Sequence, residues 1–297
     1  MFVSFKSRTG LALFLASIGL TIVPSTSKAA ARVPRSNVVW QPVKLVSGSP
    51  VLFKVSVPNA KALSAEWMGH KVSFFRQSDD NWYALAGIPV ETKAGTYDLS
   101  ITENFVSGTR QITKHVRVTT AKYPKIPIHV ARKFTEPTTE QIKQISADKE
   151  VKQTVLTTES AARLWSGDFR PPVSSPISDI FGTERVFNGE VQSRHLGLDF
   201  AAPVGTEVHA INSGTVILAQ QLYFEGGFVV IDHGQGLLSL YLHLSEFRVS
   251  QGEHVSSSEV IGLSGSSGRA TGPHLHLAVR WQGIYLDPSV LLHLRTK

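Results

Sequence analysis

The stretch that decides the fold is "TGPHLHLAVRW", residues 271–281. Along a strand, side chains alternate between faces, so residues i and i+2 point the same way. Leu275, Leu277, Val279 and Trp281 make one apolar row, the core face. His274, His276, Ala278 and Arg280 share the other face. Two imidazoles thus project side by side from one sheet surface, behind an entrance stiffened by Gly272-Pro273. Alone, such a pair is as compatible with two surface imidazoles as with a site.

Further strands are read upstream at 206–210, 214–220, 228–232, 237–244 and 259–263, separated by glycine-rich turns with almost no helical period. This makes 171–297 a compact antiparallel β domain. Residues 38–121 read as a second, N-terminal domain. "SPVLFKVSVP" (49–58) sets Val51, Phe53, Val55 and Val57 on one face, and similar short strands recur about every ten residues. That spacing predicts an immunoglobulin-like β-sandwich. Residues 122–170 form a linker holding one helix over "TTEQIKQISADKEVKQTVL" (138–156). Thr138 and Gln141 have capping-box spacing, and Ile142, Ile145 and Val155 supply a partial apolar stripe. The fold class is mainly β.

At the N-terminus, Lys6 and Arg8 precede the apolar run "LALFLASIGLTIV" (11–23), and Ser27 and Ala29 are placed for cleavage. Residues 1–29 therefore read as a signal peptide. The apolar run is short of the roughly 20 residues a spanning helix needs, so no stable membrane insertion is expected after cleavage. The chain is destined for a periplasm or cell envelope. Its net charge of +7 drops to +4 without Lys6, Arg8 and Lys28, too diffuse to predict nucleic-acid binding. With no cysteine in 297 residues, thiolate metal sites and disulfides are excluded.

Of 11 histidines, seven lie between 195 and 276. In "RHLGLDF" (194–200), His195 and Asp199 are four apart, on one face if the segment is extended, with Gly197 leaving room for an ion or substrate. Imidazole and carboxylate are ordinary zinc donors. These two and one member of the 274/276 pair would give three protein ligands and an open fourth position. In "LLSLYLHLS" (237–245), His243 shares a face with Ser239 and Tyr241 by alternation. His209 and His233 sit at turns and read as structural or solvated, and His70, His115, His254 and His293 stand apart. No H-E-x-x-H or P-loop is present. "SGSSGRATG" (264–272) is a loop beside the candidate site.

"SRHLGLDFAAPVGTEVHA", "VVIDHGQGLLSLYLHLS" and "GLSGSSGRATGPHLHLAV" resemble the lysostaphin-type (LytM-like) zinc metallopeptidases, which cut peptide bonds in peptidoglycan. The resemblance covers residues 171–292 and rests on three motifs in the family's order: H-x-x-x-D, Y-x-H-L-S and G-P-H-L-H. It implies zinc held by His195, Asp199 and His276, with His243 and His274 as the two catalytic histidines. Envelope relatives with a β domain ahead of the peptidase imply a D,D-endopeptidase acting on the D-alanyl–diaminopimelate cross-link. The partners expected are peptidoglycan stems, with a protein regulator open. The rival readings are a non-catalytic activator of murein amidases and a wall-binding protein. One departure is Gly227-Phe228, where many relatives carry a polar pair, a change at the groove wall.

Overall fold

The apolar face of the Leu275–Trp281 strand is buried from end to end. Leu275, Leu277 and Val279 are fully enclosed, and Trp281 is nearly so. The computed structural model describes residues 1–4, 35–127, 137–187 and 190–296. Beyond its first four residues, the expected leader lies outside the described residues, as does 128–136 of the expected linker. No helix among the described residues is long and apolar enough to cross a membrane.

The Leu275–Trp281 strand sits inside an eight-stranded antiparallel sheet. From one edge the order is Ile177–Asp179, Leu198–Phe200, Leu275–Trp281, Leu237–Leu244, Gly226–Asp232, Gly214–Leu222 and His254–Val255. Ile284–Leu286 adds onto Leu275–Trp281. The five strands read at 206–210, 214–220, 228–232, 237–244 and 259–263 are present to within two residues at each end. One sheet face points into the main core through Leu277, Val279, Tyr241 and Ile231. The other bears a second apolar cluster that includes Phe228, Val230, Leu238, Leu240 and Ala278.

Helix α1 (Thr139–Val155) lies against that second cluster. Its start follows the sequence: Thr138 and Gln141 form a complete capping box. Its docking face does not. Ile142 is 55% exposed, whereas Asp148 is buried and accepts a hydrogen bond from the Tyr223 backbone N–H at 2.6 Å. Asp148, Val151 and Val155 are spaced i, i+3, i+7 and form the inward stripe, with Val151, Val155 and Leu156 packed on the sheet. A carboxylate inside the stripe hides it from an apolar count. Lys152 pairs with Glu225, and Arg280 Nη1 donates to the Leu156 carbonyl at 3.0 Å.

The N-terminal residues build two further sheets. Asn37–Gln41, Pro50–Ser56, Asn81–Gly87 and Phe75–Ser78 make one, in that order. Leu45–Val46, Gly108–Thr119, Gly95–Phe105, Ala62–Trp67 and His70–Ser73 make the other. Their inner faces meet where Phe53 packs edge-on against Trp67, with ring centroids 5.3 Å apart. This core is continuous with that of the C-terminal sheet. The Phe75 ring meets Trp165 edge-on at 5.1 Å, and the Asp287 N–H donates to the Gly48 carbonyl at 2.8 Å.

The sequence reading missed the hairpin Glu184–Phe187 and Glu190–Arg194, which leads directly into His195. Lys125–Pro127, read as linker, adds a parallel strand to it. Strands of three to five residues carrying several charges leave little alternation to detect.

Candidate metal centre

Strand pairing brings the first two donors together. Leu198–Phe200 runs antiparallel to Leu275–Trp281, with Asp199 directly opposite His276. Directly opposed residues share a face, so the ladder itself sets a carboxylate against an imidazole 77 positions away, and Asp199 Oδ1 lies 2.7 Å from His276 Nδ1. His195 arrives differently. Residues 195–197 interrupt the strands, with the chain bending at Gly197, so the segment is not the continuous strand the spacing implied. The bend folds His195 Nε2 to 3.0 Å from Asp199 Oδ1 and 3.0 Å from His276 Nδ1.

Gly197 also has a different neighbour from the one expected. A Cβ there would lie 2.4 Å from His276 Nε2 and 2.7 Å from the Leu277 carbonyl oxygen. The space its missing side chain leaves is taken by the His276 imidazole.

The donor set fits a divalent ion. A common point about 2.1 Å from three donors requires each pair to lie within about 4.2 Å, and the three separations are 2.7, 3.0 and 3.0 Å. The tautomer fits as well. His195 Nδ1 faces the Ile180 carbonyl at 2.9 Å, with an Asp179 carboxylate oxygen 3.5 Å away. Carbonyls only accept, so neutral His195 carries its proton on Nδ1 and offers a bare lone pair at Nε2. Metal-bound imidazoles are commonly held in this way. His195, Asp199 and His276 are nearly enclosed, and burial alone would raise the Asp199 carboxyl. Hydrogen bonds and charge from His195 and His276 overcome that and hold it well below the usual carboxylate range. Burial likewise pulls His195 down, but Asp199 outweighs it and the net shift is upward. Burial pushes His276 down.

His243 reaches the site against strict alternation. Leu242 stands opposite His276 in the ladder and shares its face, which should turn His243 away with Ser239 and Tyr241. The register between Gly226–Asp232 and Leu237–Leu244 shifts at this point, and His243 has φ +66°. The bulge re-aims the ring, as such irregularities do beside active sites. Its centroid lies 4.7 Å from that of His274 and 6.3 Å from that of His276. A left-handed backbone at a non-glycine residue costs roughly 1–2 kcal/mol. The fold offsets it with a hydrogen bond from His243 N–H to the Glu225 carbonyl at 2.9 Å.

Both of these imidazoles hold Nδ1 on a backbone carbonyl: His243 on Ser267 and His274 on Gly272, each at 2.8 Å. Each neutral ring therefore leaves Nε2 as an acceptor, and His274 Nε2 is 3.9 Å from Asp199 Oδ2. Burial, reinforced by neighbouring His274, pushes His243 down to about 4. The loop read from "SGSSGRATG" stands beside the site and supplies the Ser267 carbonyl.

The structure thus gathers all five candidate residues. The other histidines among the described residues lie elsewhere. His233 is fully buried between the Ser213 carbonyl and the Ser239 hydroxyl, a structural role, with burial pushing it down to about 4. His209 Nδ1 meets the Pro172 carbonyl at 3.2 Å. His70 contacts Gln282, and His115 pairs with Asp98. Sequence reasoning missed Asp179 and Ile180 behind His195, and α1 beside His276. The first two act through a carbonyl and a long contact that no motif marks. The third needed the Asp148-centred stripe.

Three convergent donors that could hold a metal ion thus stand on an antiparallel sheet, with two further imidazoles alongside. Residues 193–288 match the model of peptidase family M23 and form a domain of that family. Peptidoglycan DD-endopeptidase ShyA of Vibrio cholerae serotype O1 is 48% identical over 82 residues, 28% of this chain and 19% of ShyA. Murein hydrolase activator EnvC of Escherichia coli is 39% identical over 118 residues, 40% of this chain and 27% of EnvC. The chain thus spans less than a third of either curated relative. A crystal structure assigned to peptidase M23, from Pseudomonas aeruginosa, is 29% identical with a TM-score of 0.63 and covers 84% of this chain and 95% of its own. That coverage extends well beyond residues 193–288.

Proposed function

We propose that the protein is an exported, zinc-dependent endopeptidase that hydrolyses peptide cross-links of peptidoglycan, with the D-alanyl–diaminopimelate bond as its target. The observation that carries this reading is the convergence of His195, Asp199 and His276 within bonding reach of one point, with His243 and His274 beside it. ShyA's activity favours the D,D-bond, and the basic, apolar leader of residues 1–29 favours export. The working division is a sandwich over 38–121, a connector over 122–170 and the peptidase over 171–297.

His195, Asp199 and His276 would hold the ion. When bound, zinc supplies Lewis-acid polarisation of a carbonyl and a more acidic water. The chain's own residues then handle protons. We assign proton acceptance to His243 Nε2, which burial keeps neutral and which Ser267 orients. His274 is assigned the contact to the oxyanion that develops on the substrate carbonyl.

Similarity to EnvC keeps a second reading in view, a domain that activates other murein hydrolases without cutting. The complete donor set favours catalysis. Mass analysis of fragments released from purified sacculi by the full chain separates the two. Cross-linked dimers should fall to monomers with zinc present, and this should stop with a chelator or with His195→Ala. Dimers left intact by the metal-loaded chain would overturn the endopeptidase reading.

A further inference from the structure

The sheet face that carries His276 is roofed at one side by α1, and a cavity of about 630 Å³ lies between them. Its floor is apolar, made by Leu240, Leu242 and Ala278, and it reaches His276 at one end. Its charged wall comes from α1 and Glu225. Lys152 is taken up by its ion pair with Glu225, which cancels both charges. Lys149 lines the same cavity and has no ion-pair or hydrogen-bond partner among the described residues. Its backbone is held because the adjacent Asp148 is buried and bonded to the Tyr223 N–H. The cavity therefore presents one uncompensated cation above a floor suited to small apolar side chains. It is continuous with a ligand of the metal centre, so a peptide occupying it would extend along the sheet face towards the scissile bond.

We propose that the cavity between α1 and the sheet receives a carboxylate-bearing segment of the peptide substrate, with Lys149 as its charged contact. The proposal rests on the endopeptidase reading. Lys149 would act on specificity, through substrate binding, and not on the chemical step.

The test uses the full chain and two synthetic cross-linked peptide dimers, one with free carboxylates and one with those groups amidated. Binding is measured in a His274→Ala background, to slow turnover, and hydrolysis with His274 intact. The free-carboxylate dimer should bind about fivefold tighter, the scale of a solvent-exposed ion pair. Lys149→Ala should abolish the preference and Lys149→Arg should keep it. In hydrolysis, Lys149→Ala should raise KM for the free-carboxylate dimer and leave kcat within twofold. Equal binding of the two dimers, or a preference that survives Lys149→Ala, would overturn the proposal. A preference that follows Lys149 without cleavage of either dimer would support the subsite and remove the endopeptidase reading instead.

Discussion

Gly197→Ala is a small change that should dismantle the proposed metal centre without replacing any of its three donors. The added Cβ would lie 2.4 Å from His276 Nε2 and 2.7 Å from the Leu277 carbonyl oxygen, where ordinary contact begins near 3.4 Å. The imidazole must retreat by about 1 Å, because the opposing carbonyl is fixed in the ladder that pairs Leu198 with Leu277. Metal bonds tolerate about 0.2 Å, so a displacement several times larger removes His276 from the donor set. The variant should hold zinc at least 100-fold more weakly, beyond the 10–100-fold typical of supporting residues, and lose activity in proportion. Competition against a chromophoric chelator reads the affinity, and thermal denaturation checks that the chain still folds. Wild-type zinc affinity in Gly197→Ala would refute the packing argument, because it would mean that the backbone at residue 197 gives way and the imidazole does not.

The remaining expectations divide along the same lines. His195→Ala, Asp199→Ala and His276→Ala should each lose metal and activity together. His243→Ala and His274→Ala should keep stoichiometric metal and lower turnover by about 10²–10⁴-fold, so full murein hydrolysis by His243→Ala would contradict its assignment. His233 should titrate near pH 4 by NMR, against 6.5 when unfolded. Its contribution to stability is complete above pH 6.5 and declines as pH falls towards 4, because only the unfolded chain takes up the proton in that window. That loss amounts to about 3 kcal/mol. A His233 resonance titrating at 6.5 would contradict it. Asp148→Ala should cost about 1.5–3 kcal/mol in urea denaturation by removing a charged acceptor from the Tyr223 N–H. An unchanged midpoint would show that α1 is held without it.

Much of this site is legible in the sequence. Period-two alternation placed His274 and His276 on one face and the apolar row in the core, and the His243 strand kept its boundaries at 237–244. What alternation could not give was the departure from it. His243 reaches the site only because a bulge with φ +66° breaks the pattern, and no local residue choice announces that break. The same holds for His195, which a bend delivers where an extended chain was expected. For His243 the motif resemblance carried the residue to its partners and the periodicity did not; for His195 the four-residue spacing named the right partners by the wrong backbone path. The α1 docking face was missed for a different reason: its centre is a buried carboxylate, Asp148, with a partner that exists only in the folded chain.

The central claim is that two segments far apart in sequence hold one ion between them. Anomalous scattering at the zinc edge, from crystals of the zinc-loaded protein, tests it most directly. A single strong peak is predicted about 2.0–2.2 Å from His195 Nε2, Asp199 Oδ1 and His276 Nδ1. A peak bonded by other side chains, with these three atoms left out of its coordination, would contradict the account.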